Sequence, residues 1–186
     1  MAAGATASPR KVGLAHAGMR ERSLTDQEDA MNLFRNPPAP QVKSLLTESQ
    51  LPSSDLSPKD LEHFFGCGAT QAPKGVVGLE IYGTVALLRS LAVAKDCRGI
   101  GCGKALVAEA ERYAESKGVS ELFLLTTTAE RFFERLGYRR SPRENAPQAI
   151  RQTKEFSGLC PSSSVFMAKA LAADPGVQPT PASGRR

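Results

Sequence analysis

The run Arg98-Gly99-Ile100-Gly101-Cys102-Gly103-Lys104 concentrates more potential chemistry than any other stretch, because it joins an apolar segment, Thr84 to Ala94, to an amphipathic one that begins at Gly103. Unpaired amides at a helix N-terminus hold phosphate groups, and glycines let the backbone approach with no β-carbon in the way. Each hydrogen bond to a charged phosphate oxygen contributes about 1.5–3 kcal/mol, so three or four would anchor a pyrophosphate. Arg98 and Lys104 add positive charge. Two familiar phosphate loops do not fit. The pattern G-x-x-x-x-G-K-[ST] finds Arg98 in place of its first glycine and Ala105 in place of its hydroxyl. The dinucleotide pattern G-x-G-x-x-G meets Lys104 when started at Gly99 and Leu106 when started at Gly101. R-x-x-G-x-G fits, read as Arg98, Gly101 and Gly103; the alternative is a glycine-rich turn that only joins strand to helix.

Other reactive residue types are sparse. Arg89 lies inside the apolar stretch TVALLRSLAVA, and a buried arginine needs a partner, either a substrate carboxylate or oxyanion or an internal ion pair. His16 and His63 are far apart in the chain and no G-x-S-x-G is present, which disfavours hydrolase chemistry. The four cysteines Cys67, Cys97, Cys102 and Cys160 include no C-x-x-C pair, so they read as thiols of a reducing compartment and not as a disulfide framework or a metal site. Cys97 and Cys102 flank the glycine loop, as ordinary loop residues or as a redox gate.

The chain of 186 residues, 41% hydrophobic and 23% charged, is long enough for one core. Its apolar stretches are cut by Glu80, Arg89 and several glycines, short of the ~20 apolar residues of a membrane helix, so the expectation is a soluble, cytoplasmic protein with no membrane partner. The formal net charge of +5 is modest and there is no tryptophan, so a nucleic-acid partner is not expected either, while an anionic ligand is. Residues 1–30 and 173–186 resemble disordered tails around one domain at 31–172. The first 20 residues are basic and lack acid, faintly like a transit peptide, though their amphipathic spacing is poor and a free tail fits better.

Between the tails, Met31 to Arg35 reads as a short edge strand and Gln41 to Ser49 as a helix. Ser57-Pro58 opens a short helix that Gly66 and Gly68 end. Gly75 to Ile81 and Thr84 to Ala94 form a hairpin of buried strands. A helix runs from Gly103 to Lys117 with Leu106, Val107, Ala110 and Ala114 on one face, and Gly118 stops it. Glu121 to Thr127 is a strand, Ala129 to Leu136 a short helix, Pro147 to Lys154 another, and Ser164 to Leu171 the last strand. The alternation argues for an α/β fold with helices on the faces of a sheet.

The run LLRSLAVAKDCRGIGCGKALVAEAERYAESKG, followed by a strand and FFERLGY, resembles the coenzyme-binding core of the GNAT superfamily of N-acetyltransferases. The segments LLRSLAV, LLTTTAERFFERLGY and APQAIRQTKEFSGLCPSSSVFMAK are similar to its arsenic-resistance-type members. The resemblance covers roughly 31–171. It implies an α+β fold whose central mixed, mostly antiparallel sheet splays between its fourth and fifth strands, with acetyl-CoA as co-substrate. The main chain of Leu91, Ala92 and Val93 would pair with the pantetheine arm, Leu91 would offer an oxyanion-stabilising amide, and Arg98 through Lys104, including Ile100 and Cys102, would surround the pyrophosphate. Many relatives carry N-x-x-A-x-x-x-Y after the fifth strand; here Thr126, Ala129 and Phe133 stand in those positions, so Phe133 has no proton for the leaving thiolate. Tyr138, Tyr82 and Cys160 are the substitute acids on offer. Glu80, ending the strand in GLEIYG, is the candidate base or else a turn carboxylate. Thr126, Thr127 and Thr128 either offer hydroxyls to a cleft or simply suit a strand. Cys160 either lines the acceptor side, with Arg89 and Thr127, or packs. The expected activity is acetyl transfer to the amine of a small amino-acid-like acceptor in a ternary complex, with arsenic or toxic-metabolite resistance as the role the resemblance implies. The alternatives are a non-catalytic acyl-CoA-binding module and a protein or peptide N-acetyltransferase. A homodimer is left open.

Overall fold

Strand alternation sorts the apolar residues of this chain onto two sides of one sheet. The computed structural model describes residues 32–171, so the tail assignments at either end lie outside the described residues. Seven strands stand in the order β1-β2-β3-β4-β5-β7-β6: β1 Leu33–Arg35, β2 Phe64–Ala69, β3 Ala72–Tyr82, β4 Val85–Val93, β5 Glu121–Thr126, β6 Arg139–Arg140 and β7 Val165–Ala170. Every pairing is antiparallel except that of β4 with β5. The helices are α1 Ala39–Glu48, α2 Cys102–Ser116, α3 Glu130–Glu134 and α4 Gln148–Arg151, with a π-helical turn at Glu155–Leu159.

α2 packs its buried face, Leu106, Val107, Ala110 and Ala114, on Phe65, Val77, Leu79, Leu88, Leu122 and Leu124. The other side of the sheet is covered in two portions. Val42, Leu45 and Leu46 of α1 meet Phe64, Val76 and Ala92, while Ile150 of α4 and Phe156 meet Leu87, Phe123 and Phe166. Burying such side chains contributes about 1.5–3 kcal/mol each, which holds the short α1 and the single-turn α4 against a cost in chain entropy they could not meet alone.

Two irregularities shape the middle of the sheet. β4 and β5 pair only at Val85–Glu121, Ala86–Leu122 and Leu87–Phe123, and no pairing joins them beyond Leu87. In the β3–β4 ladder Val76 faces Ala92 and Gly78 faces Arg89, so Val77 alone opposes Ser90 and Leu91. This is a β-bulge, and Ser90 takes a left-handed φ of 57° in it. The extra residue inverts the alternation: Ala86 and Leu88 pack on the α2 side, and so do Leu91 and Val93 beyond the bulge.

The structure departs from the sequence expectation at a few places. Gly66 and Gly68 do not end a helix; they lie within β2, where the ring of Phe34 fills the space a β-carbon on Gly66 would need. The turn before them is a 3₁₀ turn at Asp60–His63, its entry tied by Ser57 N–H and Oγ to Asp60 Oδ2 at 2.7 and 2.6 Å. The helix expected at Pro147 to Lys154 is α4 followed by the π turn. β6, two residues long, has no signal in the sequence. No helix among the described residues is long and apolar enough to cross a membrane.

Candidate active site

The glycine loop sits where β4 ends and α2 begins. A 3₁₀ turn at Lys95–Cys97 redirects the chain, Gly99 and Gly101 take φ values of 82° and 99°, and Gly101 precedes the first helical residue with no side chain capping the helix. No acidic residue occupies the first turn of α2. Its terminal amides therefore keep their hydrogen-bonding capacity for an anion. Arg98 folds back so that Nε donates to the carbonyl of Val93 at 3.0 Å, which ties the loop to the strand end.

A cleft of about 830 Å³ opens against this loop. Leu91, Ala92 and Val93 of β4, the loop glycines Gly99, Gly101 and Gly103, and Phe132 with Leu136 line it. Its charged lining is Arg98, Lys104 and Arg135, with no carboxylate among them. Two loop residues stand apart. Cys102 is buried and its Sγ packs beneath Gly75, where the neighbouring Cys67 and then burial push its thiol well above the ordinary range, and Ile100 does not line the cleft.

A second cavity, about 410 Å³, lies in the fork between β4 and β5. Arg89, Thr126, Thr127, Phe133, Glu155 and Cys160 line it, and it shares Leu51, Leu91, Thr128 and Ala129 with the first. The two spaces meet at the bulge. Thr126 Oγ1 accepts from the amide of Ala129 at 3.0 Å, so it fixes the entry to α3. Phe133 is buried edge-on to Phe132 and Tyr138.

Arg89 stands between the two apolar portions of its sheet face. Its side chain is 2% exposed, and three carboxylates surround it: Asp55 Oδ2 at 2.6 Å, Glu155 Oε1 at 3.0 Å, and Glu80 Oε1 in a short contact with the same nitrogen that meets Asp55. The internal ion pair therefore accounts for its charge. Glu80 lines neither cavity; it is held by Arg89 and by the hydroxyl of Tyr82, which donates to Oε2 at 2.6 Å. Burial, then the bond to Glu80, push that phenol above its usual range. Burial raises the carboxyl of Glu155, partly offset by Arg89. Burial and Glu155 push the Cys160 thiol up to about 11, and its Sγ lies 3.8 Å from Glu155 Oε2. Tyr138 is buried in the α2 core, away from both cavities, and burial followed by Glu111 pushes it up as well.

Asp55, Glu155, Ser90 and Arg135 escape a reading of residue types alone. Asp55 sits in a Ser/Pro-rich stretch and Glu155 in a polar, helix-like one, where solvent exposure is the ordinary fate of a carboxylate. The need of Arg89 for partners was the available signal.

A model of the acetyltransferase (GNAT) family matches residues 24–138. The chain belongs to that family. An uncharacterized N-acetyltransferase of Chlorobaculum tepidum is 42% identical over 66 residues, which are 36% of this chain and 42% of that protein, so the match spans under half of the relative. Among solved structures, N-acetylglutamate synthase from Neisseria gonorrhoeae, complexed with coenzyme A and L-arginine, aligns with a TM-score of 0.64 at 18% identity over 75% of this chain and 33% of its own. Rv2747 from Mycobacterium tuberculosis, in complex with CoA and NLQ, gives 0.63 at 17% identity over 76% and 99%. An acetyltransferase of the GNAT family from Staphylococcus aureus gives 0.61 at 16% identity over 76% and 99%. At these identities the structural likeness establishes the GNAT fold, with its parallel β4–β5 pair in a mixed sheet.

Proposed function

We propose that this GNAT-family chain is an N-acetyltransferase that carries acetyl from acetyl-CoA to a small amine by direct attack in a ternary complex. The observation that supports it is the meeting, at Leu91, of a cation-lined cleft with a second, separately charged cavity in the fork of β4 and β5. The donor set of the first suits a coenzyme pyrophosphate: helix-terminal amides, two glycines at positive φ, and Arg98, Lys104 and Arg135 without a competing carboxylate. Leu91, Ala92 and Val93 have no β5 partner on their open edge, which leaves their main chain to pair with an extended pantetheine arm. The coenzyme supplies an activated acyl group as a thioester. The bulge sets Ser90 and Leu91 together opposite Val77, and Leu91 lines both cavities, so its amide would stabilise an oxyanion at their junction.

No hydroxyl is needed at Phe133. A thiol of pKa about 8.5 leaves readily at neutral pH, and positioning carries much of the rate. The second cavity is small for a peptide, which favours a small acceptor. The resemblance to arsenic-resistance enzymes suggests an arsenic-bearing amino acid, but the cavity offers it one protonated thiol, Cys160, and an arginine already surrounded by carboxylates, so the reading stays at a small amine. Buried cysteines outside any disulfide at Cys67, Cys97 and Cys102 suit a cytoplasmic setting.

Release of CoA thiol from acetyl-CoA across small amines, with peptides as the contrast set, tests this. Turnover on small amines is expected. Preference for peptides would reassign the acceptor, and silence across the panel with acetyl-CoA still binding by calorimetry would replace the enzyme with an acyl-CoA-binding module.

A further inference from the structure

The second cavity, unlike the coenzyme cleft, has a carboxylate in its lining. Its charged lining consists of Arg89 and Glu155, and behind Arg89 stand Asp55 and Glu80. Three carboxylates thus surround one guanidinium, whose side chain is 2% exposed. The side chain of Asp55 is 5% exposed and its Oδ1 has no hydrogen-bond partner, so the anionic capacity of the group exceeds what Arg89 satisfies. Asp55 stands behind the lining, but two residues of the lining carry unpartnered polar atoms of their own: Arg89 Nη2 and the Oγ of Ser164, which is 5% exposed. A buried polar atom left in this way is destabilising unless a ligand or a water completes it.

The surroundings of Glu155 come from four directions: Arg89 on β4, Glu80 on β3, Asp55 on the loop after α1, and Cys160 at the end of its own turn. Arg89 is held charged by its partners, and the Cys160 thiol is neutral at physiological pH. Arg89 Nη2, although 3.0 Å from Glu155 Oε1, has no hydrogen-bond partner, but a carboxylate entering to reach it would add a fourth negative charge to three carboxylates that one guanidinium offsets, and would meet Glu155 in a low-dielectric space. An ammonium would offset part of that excess negative charge.

We propose that the cavity selects a small cationic amine whose second polar group is uncharged, such as an amino alcohol or an amino-acid amide, with the ammonium on Glu155 and the neutral group on Ser164, and that Glu155 takes the proton the amine must lose. The inference rests on the acetyltransferase reading and deepens it by naming the acceptor class. In the step it describes, R–NH3⁺ gives one proton to the Glu155 carboxylate and the freed amine attacks the thioester carbonyl. The C–N bond forms as the C–S bond breaks, and the departing thiolate takes the second nitrogen proton as the amide forms. Glu155 then returns its proton to solvent. The products are the N-acetyl compound, free CoA thiol and one proton.

The sign of the pH dependence follows. Glu155 must be ionised to accept a proton, and burial raises its pKa above the ordinary carboxylate range, so the acid limb of kcat should lie higher than a free glutamate would place it.

The deciding experiment compares wild-type kcat/KM for an amino acid, its primary amide and the matching amino alcohol, each at equal concentration of free amine, with acetyl-CoA saturating. A preference of 30-fold or more for the amide and the alcohol over the acid supports the inference. Equal or better use of the acid overturns it and leaves the acetyltransferase reading standing, whereas no turnover with any of the three or with other small amines overturns both. Glu155→Gln, which keeps the shape and still leaves Arg89 with Asp55 and Glu80, should lower kcat by 10²-fold or more, raise KM for acetyl-CoA by less than threefold, and lose the acid limb. An unchanged limb in a variant that melts with the wild type would remove Glu155 from the proton path. The wild-type panel stands even if that variant does not fold.

Discussion

Arg89, its side chain 2% exposed, is held by Asp55, Glu80 and Glu155 at once. An arginine in TVALLRSLAVA demands a partner, but the sequence does not say whether that partner is a ligand or the protein. Asp55 lies 34 residues upstream and Glu155 belongs to a turn far downstream, and no local periodicity links either to β4. The same arithmetic makes Arg89 structurally demanding. Removing one partner of a buried ionic group leaves uncompensated charge and costs about 3–5 kcal/mol. Arg89→Met, which preserves most of the volume but strands three carboxylates, is expected to destabilise by about that amount in urea unfolding at pH 7. Lowering the pH toward the carboxylate range should shrink the deficit. A loss under about 1 kcal/mol would mean that the carboxylates find water once the cation is gone.

At the scale of elements, the parts most legible in the sequence are those that depend on a local pattern. α2 appears in the 3.6-residue spacing of Leu106, Val107, Ala110 and Ala114, and Gly118, at φ 79°, follows its last turn as expected. The β3–β4 hairpin appears in two apolar runs around Gly83. What is not legible depends on tertiary contact. Gly66 and Gly68 look like helix stops until Phe34 and the β3 ladder claim them for β2, and the bulge at Ser90 has no sequence mark. The glycine loop lies between these cases: its residue pattern is visible, while its separation into cleft-lining Gly99, Gly101 and Gly103 and buried Cys102 is a packing outcome. Gly101 carries the sharpest constraint, since a β-branched residue at φ 99° is strained and would push the N-terminus of α2 out of place. Gly101→Val should raise KM for acetyl-CoA by tenfold or more and leave the acceptor KM within threefold. Equal effects on the two constants would detach the loop from the coenzyme.

For the molecule as a whole, the decisive feature is that β4 and β5 begin as paired strands and end as the walls of a fork. The two cavities adjoin there, with Leu51, Leu91, Thr128 and Ala129 common to both. Two reactants seated there at once would bring amine and thioester together without an intermediate on the protein. The second cavity's thiol is poorly placed to intervene: with Cys160 pushed up to about 11, only about one molecule in ten thousand carries thiolate at pH 7. The reaction is therefore expected to be sequential. Double-reciprocal plots against acceptor at several acetyl-CoA concentrations should intersect, and incubation with acetyl-CoA alone should leave no acetyl adduct on the protein by mass spectrometry. Parallel lines together with an adduct at Cys160 would show a covalent relay, and the junction would then be a passage between two half-reactions instead of a shared floor for one.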